Sequence, residues 1–305
     1  MFERIVVVTK KTALEELLAR HHSRGQVTFF LERRGSSIKE YGISDDRYRA
    51  ALDIVQRSLP RDSPREIVPR ELVPNFLFRE TDLVIALGPD GLAVNVIKYL
   101  ASQPLLTVNP DPERIDGVLM HFRPEEVAGM VTAMLRGDYR TETITLAEAR
   151  TNDGQTLFAV NDFLIGRRDQ ISARYTLRYG DIFERQSSSG VLVATGTGST
   201  GWMRSVITGA QCIMRTRGEP VVPFPPDSRY LLFVVREPFP SKYTGTQTVI
   251  GQMGSGEALE ITSEMPEGGA IFSDGVPEDA IEFNAGSSVT IRLAEKTAHL
   301  VTRTA

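Results

Sequence analysis

The chain has 305 residues, 41% of them apolar and 24% charged, which is the composition of a globular protein with room for two domains. Its net charge of -4 argues against a nucleic-acid partner, and its single cysteine, Cys212, excludes a disulfide framework or a thiolate zinc site within one chain. The apolar runs are too short to cross a bilayer, and the first residues already predict a strand. We therefore expect a cytoplasmic protein without a membrane or nucleic-acid partner.

Residues 1–138 alternate strand-like and helix-like segments, which predicts an α/β domain with a parallel sheet. The predicted strands are RIVVVTK, QVTFFLE, TDLVIAL and PLLTVN. The predicted helices are 12–21, capped by Thr12 with Glu15 at the third helical position, 44–59, capped by Ser44, and 123–139, closed by Gly137. Four prolines between residues 60 and 75 predict a loop or an edge strand there.

Residues 139–305 alternate polar and apolar positions between turn signals, which predicts a β-rich domain. The predicted strands are ETITLAEA, QTLFAVNDFLIG, ARYTLRYG, DIFERQSS, GVLVATG, RYLLFVVRE, EALEITSE, GAIFSDG and SSVTIRLAE. One helix is expected near 202–215. The segment 217–228 contains four prolines and predicts a long surface loop.

The stretch GPDG at 88–91 stands between a predicted strand and a predicted helix. That order makes a phosphate cradle in many α/β proteins, but it also makes an ordinary turn. Asp90 could cap the following helix, or it could take a proton from a hydroxyl during phosphoryl transfer.

A second glycine pattern, Gly196, Gly198 and Gly201, matches the G-x-G-x-x-G motif of dinucleotide-binding domains. Its context does not fit that motif, because the preceding strand lies in the middle of the chain among β-hairpins. We therefore disfavour a dehydrogenase of the Rossmann type.

Four motifs in chain order together resemble the NAD kinase family. They are GPDGL at 88–92, Asn161-Asp162, TGSTG at 197–201 and Asp274-Gly275, beside the family's GGDGT, NE, TGSTA and DG. The stretches VNPDPERIDG, QSSSGVLVATGTGS and VREPF resemble the mitochondrial type within that family. The resemblance covers most of the chain from about residue 80 to residue 275.

The resemblance implies a Rossmann-like α/β domain over 1–138 followed by a β-sandwich-like domain over 139–305. It implies ATP- and Mg²⁺-dependent phosphorylation of NAD at the adenosine 2′-hydroxyl, and a homodimer. Asp90 matches the family's proposed base. Phosphate contacts are implied for Gly88, Gly91, Thr197, Gly198 and Ser199, and NAD contacts for Asn161, Asp162, Thr200, Gly201, Trp202 and Ser205. The four histidines show no ligand spacing, so we expect no metal ion held by protein side chains alone.

Two substitutions separate this sequence from the family pattern at the first motif. Pro89 removes one backbone N–H group, and Leu92 removes a hydroxyl. Asp162 is also shorter than the usual glutamate. These departures leave two alternatives open, which are a catalytically impaired sensor that binds a dinucleotide and a kinase of another hydroxylated metabolite.

Overall fold

The computed structural model describes residues 2–215 and 222–303, and this part of the chain forms two compact units. The first unit contains the residues up to 142 together with those from 298 onward, and the second contains 143–297. The predicted division into 1–138 and 139–305 differs because the last strand ends in the first unit. Sequence order alone does not reveal such a return.

The first unit alternates strands and helices along the chain. Its elements are β1 Arg4–Thr9, α1 Ala13–His21, α2 Arg24–Glu32, α3 Ile38–Ser58, β2 Arg65–Pro69, β3 Asp82–Leu87, α4 Asp90–Ile97, β4 Pro104–Val108 and α5 Val127–Arg136. Short 3₁₀ turns occupy Arg70–Asn75 and Pro124–Glu126. Helix α5 ends at Gly137 in the left-handed conformation, as predicted.

The sheet of the first unit is parallel, in the order β2-β1-β3-β4. Residues 299–300 of the last strand add to β4, again in parallel. One face of the sheet packs against α3 and α5 through buried side chains that include Ile5, Ile85, Val55 and Val131. The predicted Rossmann-like sheet is confirmed, and β2 lies at its edge, where a proline-containing segment was expected.

The prediction of a strand at QVTFFLE is wrong, since these residues lie in α2. Ser23 caps that helix by accepting a hydrogen bond from the N–H of Gln26. Val27 and Leu31, four positions apart, are buried in one cluster with Leu14 of α1. The run is rich in β-branched and aromatic residues, but helical packing overrides that local preference.

The start of α3 also differs from the prediction. The helix begins after Ser37, whose side chain accepts from the N–H of Lys39, and not after Ser44. Asp45, near the predicted start, is buried inside the helix and paired with Arg49. Two serines in this stretch precede helix-forming residues, and the helix begins after the first of them.

The second unit is almost entirely β-structure. Its strands are β5 Arg140–Thr151, β6 Thr156–Ala159, β7 Asp162–Arg167, β8 Ala173–Tyr179, β9 Ile182–Ser188, β10 Val191–Ala194, β11 Tyr230–Val235, β12 Ile250–Gly254, β13 Leu259–Ser263, β14 Gly269–Ser273, β15 Val276–Glu282 and β16 Ser288–Thr302. Helix α6, Trp202–Met214, lies where a helix was predicted. Of the predicted proline loop, 222–228 has no regular helix or strand, and 217–221 lie outside the described residues.

Two sheets form a sandwich in the second unit. One runs in the order β12-β11-β10-β7-β14-β15, and the other joins β16, β13, β8 and β9, with β5 paired to β16 and β6. Their buried side chains share one core, to which Phe163, Phe233, Tyr175 and Ile261 belong. Helix α6 covers the outer face of the first of these sheets through Met203. The predicted β-sandwich is therefore confirmed.

Three details of the second unit escaped the sequence patterns. The glycine-rich β12 and the acidic, proline-containing β15 have low β-propensity and form through antiparallel pairing with β11 and β14. The predicted single strand QTLFAVNDFLIG is broken into β6 and β7 by a bend at residues 160–161. Among the described residues, no helix is long and apolar enough to cross a membrane.

The cap of α1 provides a stability test for the first unit. The Thr12 hydroxyl accepts from the N–H of Glu15 at 3.2 Å and donates to buried Asp45 at 2.6 Å. Thr12→Val should lower the unfolding free energy by about 2 kcal/mol, because the cap and the partner of a buried carboxylate are both lost. Denaturant unfolding followed by helical ellipticity measures this. Ser23→Ala, which removes a single exposed cap bond, should cost about 1 kcal/mol or less, and equal losses would contradict the role of Asp45.

Candidate functional site

Asp90 begins α4 directly after the buried strand β3. Pro89 is the N-cap residue, with φ -80° and ψ 171°, and makes no side-chain cap bond. The N–H of Gly88 donates to the carbonyl of Val108 at 3.1 Å, so the first motif is tied to the end of β4. This places an acid at the carboxyl end of a parallel strand, where α/β proteins bind ligands.

The Asp90 carboxylate is held by the main chain of a distant segment. The N–H of Val118 donates to its Oδ2 at 3.0 Å, and the N–H of Leu119 donates to its Oδ1 at 2.9 Å. Asp90 is the first helical residue and not the cap, so the simpler hypothesis of an N-cap aspartate is wrong. Its two hydrogen bonds fix the carboxylate in one orientation.

The segment that holds Asp90 is the conspicuous VNPDPERIDG stretch and the residues after it. The Asn109 side chain accepts from the N–H of Asp111 and donates to the carbonyl of Ile115, which closes the loop on itself. Gly117 has a φ of +61°, and a Cβ there would lie 2.6 Å from the Asn109 amide nitrogen. The stretch therefore has a physical role, since it folds the main chain that donates to Asp90.

Leu92 is a core residue of the first motif. It is 1% exposed, and a Cβ at Gly88 would lie 2.7 Å from its Cδ2 atom. A side chain at position 92 therefore packs inward against Gly88. Gly91, in contrast, is exposed with open space beside it.

In the second unit, Asn161 and Asp162 lie at the bend between β6 and β7. The carboxylate of Asp274 accepts from the N–H groups of Val160, Asn161 and Asp162, and the bond from Asn161 is 2.6 Å long. Asp274 forms the turn between β14 and β15 with Gly275. The Asn-Asp pair and the late Asp-Gly motif, more than a hundred positions apart, thus come together.

Asp162 is a buried acid at the start of β7. It is 8% exposed, and within residues 2–215 and 222–303 no group donates to its carboxylate. Burial, and secondly the negative charge of Asp274, raise the pKa of Asp162 to about 7. Near neutral pH this side chain can therefore present both a donor and an acceptor.

The TGTGSTG loop packs directly onto the Asn161 bend. Thr195 donates through its N–H to the carbonyl of Asn161 at 2.9 Å and through its hydroxyl to the carbonyl of Val160. A Cβ at Gly198 would overlap the Asn161 carbonyl oxygen, so only glycine fits there. The third motif is therefore built around the second.

The hydroxyls of this loop differ in their availability to a ligand. Ser199 is fully buried and its Oγ bonds to the main chain of Gly196 and Phe224, so the phosphate contact predicted for its hydroxyl is not available in this arrangement. The Thr197 Oγ1 is buried and has no partner among the described residues. Thr200 is exposed and donates to the Thr197 carbonyl at 3.1 Å.

The first turn of α6 continues this surface. Gly201 and Ser205 are exposed, and the Ser205 hydroxyl lies 3.4 Å from the Gly201 carbonyl. Trp202 is 38% exposed, and the guanidinium carbon of Arg236 lies 5.0 Å from its ring centroid. Arg236 belongs to the VREPF stretch, to which the sequence gave no role, and its guanidinium covers one face of the indole.

A resident metal ion would need a cluster of ligands. Among the described residues, no group of three or more His, Cys, Asp or Glu side chains could hold one.

No protein-family model matches the chain, but it is similar to individual NAD kinases. The NAD kinase of Cytophaga hutchinsonii is 30% identical over 129 residues, which are 41% of this chain and 44% of that protein. The NAD kinase of Ralstonia nicotianae is 30% identical over 141 residues, 44% and 46% of the two chains. For both, the chain spans about half the length of the curated relative it matches. The NAD kinase of Wolinella succinogenes is 27% identical over 235 residues, 74% and 72% of the two chains.

Solved structures match over nearly the whole chain. An NAD kinase from Archaeoglobus fulgidus in complex with ATP has a TM-score of 0.57 and 19% identity, covering 97% of this chain and 92% of that one. A yeast NADH kinase complexed with NADH has a TM-score of 0.62 and 16% identity, covering 100% and 84%. These likenesses confirm the predicted fold class, that of the NAD kinases.

The raised pKa of Asp162 predicts a pH-dependent stability. Its folded pKa, about 7, exceeds the ordinary value of 3.8, so its ionisation costs stability as pH rises from about 4 to 7 and the cost is complete above that. An asparagine side chain cannot ionise. Asp162→Asn should therefore melt at a higher temperature than the wild type near pH 8, with the difference shrinking toward about pH 4.

Melting curves across this range measure the effect, and an oppositely shifted carboxyl of the same unit provides the control. A hydrogen bond from Arg167 lowers the pKa of exposed Asp169 to about 2, so Asp169→Asn should lose a small amount of stability at high pH and none at low pH. Parallel curves for wild type and Asp162→Asn would show that Asp162 titrates as an ordinary exposed acid.

Proposed function

We propose that this protein transfers the γ-phosphoryl group of ATP to the 2′-hydroxyl of the adenosine ribose of NAD, giving NADP and ADP. The observation that carries the proposal is Asp90, an acid at the carboxyl end of β3 in the fold of the NAD kinases, with its carboxylate oriented by two backbone N–H groups. The similar solved structures contain ATP in one case and NADH in the other, which supports this donor and a dinucleotide acceptor.

Asp90 is proposed as the general base. The ribose oxygen attacks the γ-phosphorus, the bond from that phosphorus to the bridging oxygen of ADP breaks, and the hydroxyl proton passes to Asp90. Each carboxylate oxygen accepts one bond from the Val118–Leu119 main chain and keeps a lone pair for that proton. General-base catalysis of this kind contributes about 10²–10⁴-fold to the rate.

Phosphate binding is proposed for the start of α4 and for the TGTGSTG loop. The N–H of Gly91 lies in the first helical turn, where main-chain donors have no intrahelical partner. The N–H of Gly88 is already bonded to Val108, so we propose that Gly88 contributes space and not a donor. In the second unit, the proposed contact is the Thr197 hydroxyl, which has no partner among the described residues. The N–H of Gly198 already donates to the Thr195 hydroxyl at 3.3 Å, so we propose that Gly198, like Gly88, contributes space, and that Ser199 holds the loop in shape.

The acceptor is proposed to contact Asn161, Asp162 and the start of α6. Asn161 and Asp162 have side chains without hydrogen bonds within the described parts of the chain, so both are available to ligand hydroxyls or base edges. Thr200, Gly201 and Ser205 are exposed, and Trp202, backed by Arg236, offers an indole face for stacking. Mg²⁺ is proposed to arrive with ATP and to balance the phosphate charge.

Three finer predictions accompany the proposal. They are membership of the mitochondrial type, a homodimer and a cytoplasmic location. Light scattering of the purified protein tests the dimer, and fractionation of source cells tests the location.

An impaired dinucleotide sensor is the second candidate, and Pro89 favours it. Position 89 has no N–H to give to a phosphate, and one such bond to a charged group is worth about 1.5–3 kcal/mol. A kinase that acts on another hydroxylated metabolite is the third candidate. Both become outcomes of the assays below.

The first assay detects NADP formed from NAD, ATP and Mg²⁺ by a coupled dehydrogenase. Asp90→Asn should lower kcat by about 10²–10⁴-fold, because the amide cannot accept the proton. Asp116→Asn removes the same charge from an exposed side chain within the VNPDPERIDG stretch that has no hydrogen bond to Asp90, and it should leave kcat within about twofold. Melting temperatures separate loss of the base from loss of the Val118–Leu119 contact.

The outcomes distinguish the three candidates. Turnover of NAD that depends on Asp90 supports the proposal. Micromolar NAD binding without turnover supports the sensor, and ATP binding without NAD binding supports another acceptor. Failure to bind either nucleotide contradicts all three.

Pro89→Gly tests whether the first motif limits catalysis. The substitution restores an N–H, and a gain of about tenfold in kcat or in affinity for ATP corresponds to ~1.4 kcal/mol. NAD affinity should change little. Lower activity would mean that the loop has been rebuilt around proline for its own ligand.

Leu92→Thr is expected to behave differently from Pro89→Gly. Leu92 is 1% exposed, so threonine would bury a hydroxyl and leave a void, at a cost of about 2–4 kcal/mol in unfolding free energy. The double variant should therefore unfold more readily than Pro89→Gly without a further gain in kcat. Calorimetric melting beside the coupled assay checks this, and a gain in kcat from Leu92→Thr alone would contradict the inward packing of residue 92.

A further inference from the structure

Asp274 belongs to the Asp-Gly motif of the second unit, and the sequence patterns give this acid no role of its own. We propose that Asp274 is a positioning residue for the phosphoryl acceptor, because its carboxylate holds the Val160–Asp162 main chain in the conformation that presents Asn161 and Asp162 to NAD. This inference rests on the proposed function, and it adds the reason why an acid is needed at position 274.

Main-chain donors converge on the Asp274 carboxylate from three consecutive residues. Its Oδ1 accepts from the N–H groups of Val160 at 3.1 Å, Asn161 at 2.6 Å and Asp162 at 3.2 Å, and its Oδ2 accepts from Val160 at 3.2 Å. In return the N–H of Asp274 donates to the Asp162 carbonyl at 2.9 Å. Hydrogen bonds to an ionised acceptor are the stronger class, so this bend is held at its N–H side.

The carbonyl side of the same bend is held by the TGTGSTG loop. Thr195 bonds to the carbonyls of Val160 and Asn161, and Gly198 packs against the Asn161 carbonyl oxygen. The main chain of the bend is thus bonded on both sides. The side chains of Asn161 and Asp162, in contrast, have no hydrogen bonds among the described residues. Unpartnered polar side chains on a fixed main chain are the arrangement that a binding site requires.

The turn at Asp274 does not by itself explain an acid. Asp274 has a φ of 54° and Gly275 a φ of 68°, between the paired residues Ser273 and Val276 of β14 and β15. Two positive φ angles define the type I′ turn, for which Asn-Gly is at least as favourable as Asp-Gly. Asparagine at 274 would therefore keep the turn and lose the charged acceptor. This separates the positioning role from a purely structural one.

The test compares Asp274→Asn with Glu184→Gln. Glu184 is a carboxylate of the same unit that accepts from the N–H groups of Gln247 and Thr248, so it is a matched cap outside the candidate site. Asp274→Asn should raise the KM for NAD by about tenfold or more, since a mis-set bend misplaces two acceptor contacts. The KM for ATP should stay within about twofold, and the melting temperature should fall no further than in Glu184→Gln. Equal NAD KM values in the two variants would overturn the proposal.

A second measurement keeps the proposal testable if the proposed function fails. Amide hydrogen exchange at Val160, Asn161 and Asp162 reports on their hydrogen bonds to the Asp274 carboxylate and needs no substrate. Asp274→Asn should speed exchange there by about tenfold or more, while Glu184→Gln should affect Gln247 and Thr248 instead. Absence of NAD turnover in the wild type would contradict the proposed function alone. Unchanged exchange at 160–162 in Asp274→Asn would contradict the positioning role alone.

Discussion

In each of the two units, the candidate functional residues depend on a carboxylate that accepts hydrogen bonds from the main chain of a segment far away in sequence. Asp90 receives the N–H groups of Val118 and Leu119, and Asp274 receives those of residues 160–162. A part-buried N–H that loses its acceptor costs about 1–3 kcal/mol, so the bonds from Leu119 to Asp90 and from residues 160–162 to Asp274 favour one conformation of each segment. The segment 109–119 contains no helix or strand, and residues 160–161 form a bend between β6 and β7, so hydrogen bonds of this kind help to set the conformation of both.

The same constraint explains why the glycine motifs are more than phosphate cradles. Gly198 is required by the approach of the Asn161 carbonyl, and Gly88 by the packing of Leu92. Ser199, which a sequence pattern offers as a phosphate ligand, uses its hydroxyl to join the loop to Phe224. Motif residues of this kind support the site by packing against other parts of the chain. Only some residues of each motif are therefore available to bind a ligand.

Much of the fold could be predicted because its signals are local. The capping box of Thr12 and Glu15, the left-handed Gly137 and the alternation of apolar residues in the β-rich half all lie where the patterns indicated. The predicted secondary structure is wrong where tertiary packing overrides the local preference of the residues for helix or strand. QVTFFLE is helical because Val27 and Leu31 bury one face against α1, and β15 is a strand because β14 pairs with it.

The sequence by itself determined the motifs, their order and the fold class, since these follow from residue type, period and turn chemistry over short spans. The tertiary structure decided which residues of those motifs are available. It brought Asp274 onto the bend at 160–162, turned Leu92 and Ser199 inward, and placed Asp162 where burial raises its pKa to about 7. Each of these depends on segments tens to more than a hundred residues apart, and no local pattern encodes the distance between them. Hydrogen bonding and desolvation depend on which groups lie close together in space, so the chemistry of these residues exists only in the folded chain.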